Sequence, residues 1–72
     1  MPKLYSSSKI IKVLHKKGFV YISQKGSYTK FRKTGSQTLT VIVPVNKKEI
    51  PFGTFKSILR QANLTEDEFR QK

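Results

Sequence analysis

A chain of 72 residues has room for one compact domain, which we expect to be ordered over about residues 6–69. It contains no cysteine, so disulfide frameworks, thiolate metal sites and thiol nucleophiles are excluded. Fifteen Lys and Arg residues against four acidic residues give a formal net charge of +11, which indicates an anionic partner. Nucleic acid is favoured over an anionic membrane or an acidic protein, because the basic residues stand among aromatic ones rather than along one amphipathic helix.

Residues 1–14 include no uninterrupted apolar run of signal-peptide length, and no stretch approaches the roughly 20 apolar residues of a membrane span. We therefore expect a soluble, cytoplasmic protein that does not bind membranes. Paired carboxylates, Cys and His at metal-ligand spacing, and nucleophile–base arrangements are all missing from the sequence, so we expect no metal and no small-molecule cofactor.

The first predicted element is a helix that begins after a serine within residues 6–8 and ends before Gly18. A serine side chain can accept hydrogen bonds from the free N–H groups of the first helical turn. Lys16 and Lys17 suit the negative end of the helix dipole, and Gly18 can adopt the left-handed conformation that ends a helix. Four residues form the apolar face of this helix, namely Ile10, Ile11, Val13 and Leu14.

Three β-strands are predicted next, joined as a meander. Phe19–Lys25 and Thr38–Val45 are rich in aromatic and β-branched residues, and Tyr28–Lys33 alternates between two sets of side chains. The intervening residues 26–27 and 34–37 have the composition of turns. The middle of the chain therefore predicts an antiparallel three-stranded sheet.

Two helices are predicted after the strands. Phe52–Ala62 places apolar residues at helical spacing, and Asn63 can act as its left-handed cap. Thr65 and Glu68 form a T-x-x-E capping box for a short terminal helix that runs through Phe69. Two longer helices flanking three strands predict an α+β two-layer sandwich. The aromatic residues expected to fill its core are Phe19, Tyr21, Phe31, Phe52, Phe55 and Phe69.

The order helix, three strands, helix is also that of the double-stranded RNA-binding domain, and three segments carry a closer resemblance. They are residues 18–19 (GF), residues 24–27 (QKGS) and residues 51–62 (PFGTFKSILRQA). Together these segments resemble the HicA toxins, also called the YcfA-like family, and the likeness extends over residues 7–69. The resemblance implies a double-stranded RNA-binding fold, metal-independent cleavage of mRNA, and neutralisation by a HicB-type antitoxin.

The chain departs from this family pattern at one position. Family members typically read G-S-H after the first strand, whereas this chain reads Gly26, Ser27 and Tyr28. By resemblance, the histidine exchanges a proton while a 2′-hydroxyl or a water attacks the phosphodiester. Around neutral pH an imidazole divides between its acid and base forms, whereas a phenol stays almost wholly protonated. With Tyr28 in the catalytic position, we expect a toxin that binds RNA but is inactive or weak as an endoribonuclease.

The sequence alone is compatible with three explanations for Tyr28. Tyrosine can reflect natural divergence, or a substitution that removes an activity harmful to the cell, since His and Tyr codons differ by one base. It could also act as a general acid beside another base, although the sequence indicates no such base. His15 is the only histidine, and its position at the boundary of an apolar helix face is typical of a structural or solvated residue.

Candidate RNA contacts follow from strand and helix geometry. Lys30 and Arg32 share a strand face with Tyr28, because side chains alternate along a strand. Lys56 and Arg60 are four residues apart on the predicted second helix, and the corresponding helix of the resembled fold reaches phosphates. With neighbouring cations, the predicted RNA-binding set is Lys25, Lys30, Arg32, Lys33, Lys56 and Arg60. The alternative is a solvated basic face without a specific ligand.

The predicted catalytic group is Tyr28 with Gly26 and Ser27, whose backbone N–H groups could hold a phosphate or simply form a hairpin turn. Three classes of function remain open: an RNA-cutting toxin or its inactive form, a non-catalytic RNA-binding module, and a domain that meets only its antitoxin. An acidic antitoxin would be attracted to the basic surface and would hide it from RNA.

Overall fold

Residues 4–70, which the computed structural model describes, fold into three helices and one three-stranded antiparallel sheet. The strands lie side by side in chain order, and each strand pairs antiparallel with the next. The elements are α1 (Ser7–Lys16), β1 (Val20–Lys25), β2 (Tyr28–Lys33), β3 (Leu39–Pro44), α2 (Phe52–Ala62) and α3 (Glu66–Arg70). Their bounds lie close to those predicted, and the predicted α+β architecture with a short terminal helix is confirmed.

The start of α1 depends on two of the three candidate serines. The Ser6 hydroxyl accepts a hydrogen bond from the Lys9 N–H at 3.1 Å and is the N-cap. Ser7 is buried, and its Oγ donates to the Pro44 carbonyl at 2.7 Å and accepts from the Lys47 N–H at 3.1 Å. Since a buried hydroxyl without partners would be costly, this pair of bonds fixes the start of α1 against the end of β3.

The core lies between the helices and one face of the sheet. We call this side of the sheet the helix face; it carries buried Phe31 from β2 and buried Val41 and Val43 from β3. The helices pack mainly against β3. Terminal helix α3 also contributes, because Phe69 is fully buried and its ring centroid lies 5.1 Å from that of Phe55.

Two tethers hold α3 in place at the surface. The Glu68 carboxylate accepts a hydrogen bond from the Thr65 N–H at 2.8 Å, as the capping-box pattern predicts. The same side chain forms an ion pair with Lys17 at 3.1 Å, which links α3 to the end of α1. The hydrogen bond from Thr65, with the contribution of Lys17, lowers the pKa of Glu68 below its ordinary value.

The structure corrects two of the six core assignments. Phe52 is only partly buried and packs at the edge of the core, with its ring centroid 6.3 Å from that of Phe55. The assignment of Tyr21 to the core was wrong, since Tyr21 is 54% exposed. The physical reason is the placement of the helices, which leaves every residue of β1 exposed.

Candidate functional site

The burial of β2 alternates as the sequence predicts. Thr29 and Phe31 are buried on the helix face, whereas Tyr28, Lys30 and Arg32 point to the other side of the sheet. We call that other side the open face. Tyr28 is 55% exposed there, and Lys30 and Arg32 are half-buried. The predicted alignment of an aromatic side chain with two cations is therefore confirmed.

Neighbouring strands add to the open face around Tyr28. Lys25 of β1 and Pro44 of β3 lie directly opposite Tyr28 in the two strand pairs. Residues directly opposite each other in antiparallel strands point to the same side of a sheet. Arg32 Nε donates a hydrogen bond to Thr40 Oγ1 at 3.4 Å, which directs the guanidinium across the sheet toward β3. The open face thus combines one phenol with three basic side chains.

The turn between β1 and β2 has an ordinary hairpin explanation. Gly26 has a φ of 59°, in the left-handed region that favours glycine. The Gln24 side-chain amide donates to the Gly26 carbonyl at 3.3 Å, and the Val45 N–H donates to the Ser27 carbonyl at 2.9 Å. These bonds fix the start of β2, and with it Tyr28. The use of Gly26 and Ser27 to hold a phosphate stays a prediction.

The six predicted RNA-binding cations do not share one surface. Lys33 belongs to the helix face, where its Nζ lies 5.9 Å from the ring centroid of Phe19. Lys56 and Arg60 are exposed on α2, which also lies on that side. The set is divided between the open face, with Lys25, Lys30 and Arg32, and the helix side, with Lys33, Lys56 and Arg60. A ligand that contacts all six must therefore pass round an edge of the sheet.

Sequence reasoning missed a groove of about 500 Å³ between α1 and β1. His15 of α1 and Tyr21 of β1 line it, and both rings approach buried Phe31 edge-on, with centroids 5.6 and 6.1 Å from the Phe31 centroid. His15 itself is exposed, which agrees with the solvated rather than the structural of its two expected roles. No sequence signal marks this groove, because a β-strand tyrosine has the same pattern whether or not a helix covers it.

The described part of the chain contains neither a cluster of metal ligands nor a membrane-spanning helix. Among residues 4–70, no three His, Cys, Asp or Glu side chains come together as a metal site would require. None of the helices formed by these residues has both the length and the apolar character needed to span a bilayer.

Comparison with known proteins gives one family. A family model described as the HicA toxin of bacterial toxin–antitoxin systems matches residues 7–64. The matched segment begins with α1, includes all three strands and extends just beyond α2. A search of curated proteins finds no match.

Proposed function

The chain belongs to the HicA toxin family of bacterial toxin–antitoxin systems, and from this premise we propose that it binds mRNA as a weakened or inactive metal-independent endoribonuclease. The observation that carries the proposal is the arrangement of the open face, where exposed Tyr28 stands beside Lys30 and Arg32. Tyr28 occupies the position of the histidine in the family pattern. Binding and chemistry would then share one surface in the cytoplasm, where mRNA is present.

Charge supports the binding half of this proposal. The formal net charge of +11 favours any polyanion, and the open-face cations lie two and four residues from Tyr28 on β2 or directly opposite it on β1. Lysine and arginine that meet phosphates hold a nucleic acid backbone in place, and they make its affinity strongly dependent on salt. Lys25, Lys30 and Arg32 are the residues we assign to the phosphates next to the scissile bond.

The surroundings of Tyr28 support the loss of chemistry. A general base must lie within hydrogen-bonding reach of the proton that it removes. The residues directly opposite Tyr28 are Lys25 and Pro44, and neither is a histidine or a carboxylate. His15 lines the groove on the helix side of the sheet instead. A phenol in this position can donate a hydrogen bond to a phosphate oxygen, but the two residues opposite it supply neither an imidazole nor a carboxylate to complete acid–base catalysis.

Restoring the histidine tests this proposal. Tyr28→His should increase RNA cleavage by about 10²- to 10⁴-fold, because a positioned acid–base group typically contributes that much. Cleavage should persist with chelator present, and expression of the variant should arrest growth unless the antitoxin is co-expressed. Ser36→His is the control, since it places an imidazole at an exposed position in the turn between β2 and β3, at the other end of β2 from Tyr28. Cleavage by the unmodified protein as fast as by Tyr28→His would contradict the proposal, as would equal activation by both variants.

The antitoxin completes the proposed system. We infer that a HicB-type protein with an acidic surface covers the open face, because charge complementarity would direct it to the same cations that hold RNA. Competition between antitoxin and RNA for the protein is the expected result. Simultaneous binding of both would place the antitoxin on another surface.

A further inference from the structure

The groove between α1 and β1 exists because one strand of the sheet lies beyond the helices. Tyr21 is directly opposite Phe31, and Gln24 is directly opposite Thr29. Since Phe31 and Thr29 are buried on the helix face, Tyr21 and Gln24 belong to that face as well. None of the helices formed by residues 4–70 covers them, and they line a groove of about 500 Å³ instead of a packed core.

The lining of the groove is part apolar and part polar. Buried Phe31 and partly buried Ile11 supply the apolar part, beside the exposed ring of Tyr21. Exposed Gln24 and Asn46 supply two amides that can donate and accept hydrogen bonds. The adjacent Lys47 supplies a cation, and none of the described residues that line the groove is acidic.

An aromatic surface, amides and a cation together match the parts of a nucleotide. Bases stack on aromatic side chains, amides can read the hydrogen-bonding edges of bases, and lysine meets phosphate. The groove also falls within the roughly 300–1,000 Å³ typical of small-molecule sites. The edges and faces of a base are available in this way only when the base is unpaired and out of the stack.

We propose that this groove receives one unpaired nucleobase of the RNA, stacked on Tyr21 and hydrogen-bonded by Gln24 and Asn46, with Lys47 on a neighbouring phosphate. The proposal rests on the proposed function, since it assumes an RNA ligand, and it names the form of that ligand as single-stranded.

The position of the groove fits a flexible strand. The groove lies on the helix face and Tyr28 on the open face, so the two are separated by the β1–β2 hairpin. Within the part of the chain that the structure describes, β1 is an edge strand with no neighbour on its outer side. A single strand can bend round this free edge and contact both sites, whereas a rigid duplex cannot.

Binding to a short unstructured oligoribonucleotide and to a duplex of the same sequence tests the proposal. Tyr21→Ala should weaken single-strand binding roughly 5- to 150-fold, the range for loss of one base–aromatic stack. Tyr21→Phe should bind nearly as well as the original, because it keeps the ring. Val20→Ala is the matched control, since Val20 is an equally exposed neighbour on the other side of β1, and it should change nothing. Duplex binding should be unaffected by all three changes.

The outcomes separate this proposal from the proposed function. If the unmodified protein binds RNA and Tyr21→Ala binds the single strand equally well, the nucleobase assignment is wrong and the proposed function stands. If Tyr21→Ala loses as much affinity for the duplex as for the single strand, the assignment is also wrong. Normal RNA binding by Tyr21→Ala with loss of antitoxin binding would assign the groove to a protein segment. If the unmodified protein binds no RNA at low salt, both proposals fail together.

Discussion

The two edge strands of the sheet differ in what covers them. In β3, Val41 and Val43 are fully buried under the helices, and the outward N–H of Ile42 donates to Gln61 Oε1 of α2 at 3.0 Å. In β1, all six residues are exposed, including three large apolar side chains, Val20, Tyr21 and Ile22. A protein of this size has little stability to spare. The exposure of β1 therefore fits the proposal that this strand presents a surface for a partner.

The uncovered edge has features that oppose pairing with a second copy. The register of β1 against β2 shifts between Tyr21 and Ser23, and such a bulge twists a strand edge away from flat pairing. Lys25 at the end of β1 adds a charge that discourages association. These features oppose extension of the sheet by another strand, which fits the proposed nucleic acid ligand.

The largest expected effect is a loss of RNA affinity when the cations of the open face are replaced. Lys30→Glu with Arg32→Glu should reduce RNA affinity more than about 100-fold, because two charge-assisted hydrogen bonds are each worth about 1.5–3 kcal/mol. The log–log dependence of affinity on salt should also become shallower by about 1.4 for a single strand, or about 0.7 for each lost phosphate contact. Titrations at several salt concentrations measure both quantities.

Lys56→Glu with Arg60→Glu is the matched pair on the helix side, with the same change in net charge. A weaker effect from this pair would locate the main RNA contacts on the open face. An equal effect would mean that general charge, rather than position, controls binding. Circular dichroism should show both pairs folded, since all four side chains are at least partly exposed.

The next effect concerns stability. Val43→Ala should lower the free energy of unfolding by about 1.5–3 kcal/mol, because it removes a fully buried side chain and leaves a cavity. Val20→Ala makes the same chemical change on β1 at a site that is 57% exposed, and it should stay within about 0.5 kcal/mol of the original. Urea unfolding measures both. Similar losses in the two variants would show that β1 contributes to the core after all.

Local signals explain why so much of the fold could be predicted from the sequence. Ser6, Gly18 and Asn63 act at helix ends as their residue types favour, and Asn63 has the left-handed φ of 58° expected of such a cap. Alternation along β2 likewise placed Tyr28 with Lys30, because it depends only on strand geometry.

Tertiary placement explains what could not be predicted. Whether Tyr21 is buried depends on where α1 lies relative to β1. The residues next to Tyr21 in the sequence do not indicate that position. The division of the predicted cations between two sides of the sheet has the same origin, since Lys30 and Lys56 belong to different layers. The groove that we assign to a nucleobase likewise depends on tertiary placement, because Tyr21 lines it where the helices leave β1 exposed.

The smallest expected effect is a dependence of stability on pH from the tether between α1 and α3. The pKa of Glu68 is lowered by the Thr65 N–H and by Lys17, so the folded state favours the ionised carboxylate. A carboxyl whose folded pKa is depressed adds stability above its unfolded value of 4.5 and loses it as pH falls through the lowered folded value. Glu68→Gln keeps an acceptor for Thr65 but removes this titration. The melting temperature of the original should therefore exceed that of the variant near neutral pH, and the difference should shrink as pH falls below 4.5.

The original protein and Glu68→Gln share every other acidic residue, so the titration of those residues cancels in the difference between the two melting temperatures. The difference should be small and should decrease with added salt, because Glu68 and Lys17 are accessible to solvent. RNA affinity should be the same for both, since Lys17 and Glu68 join the ends of two helices and do not line the groove assigned to a nucleobase. A constant difference in melting temperature across the acid range would mean that Glu68 stabilises α3 only as a hydrogen-bond acceptor. A change in RNA affinity would show that the contact between α1 and α3 also affects RNA binding. The covered and exposed parts of the molecule would then not act independently.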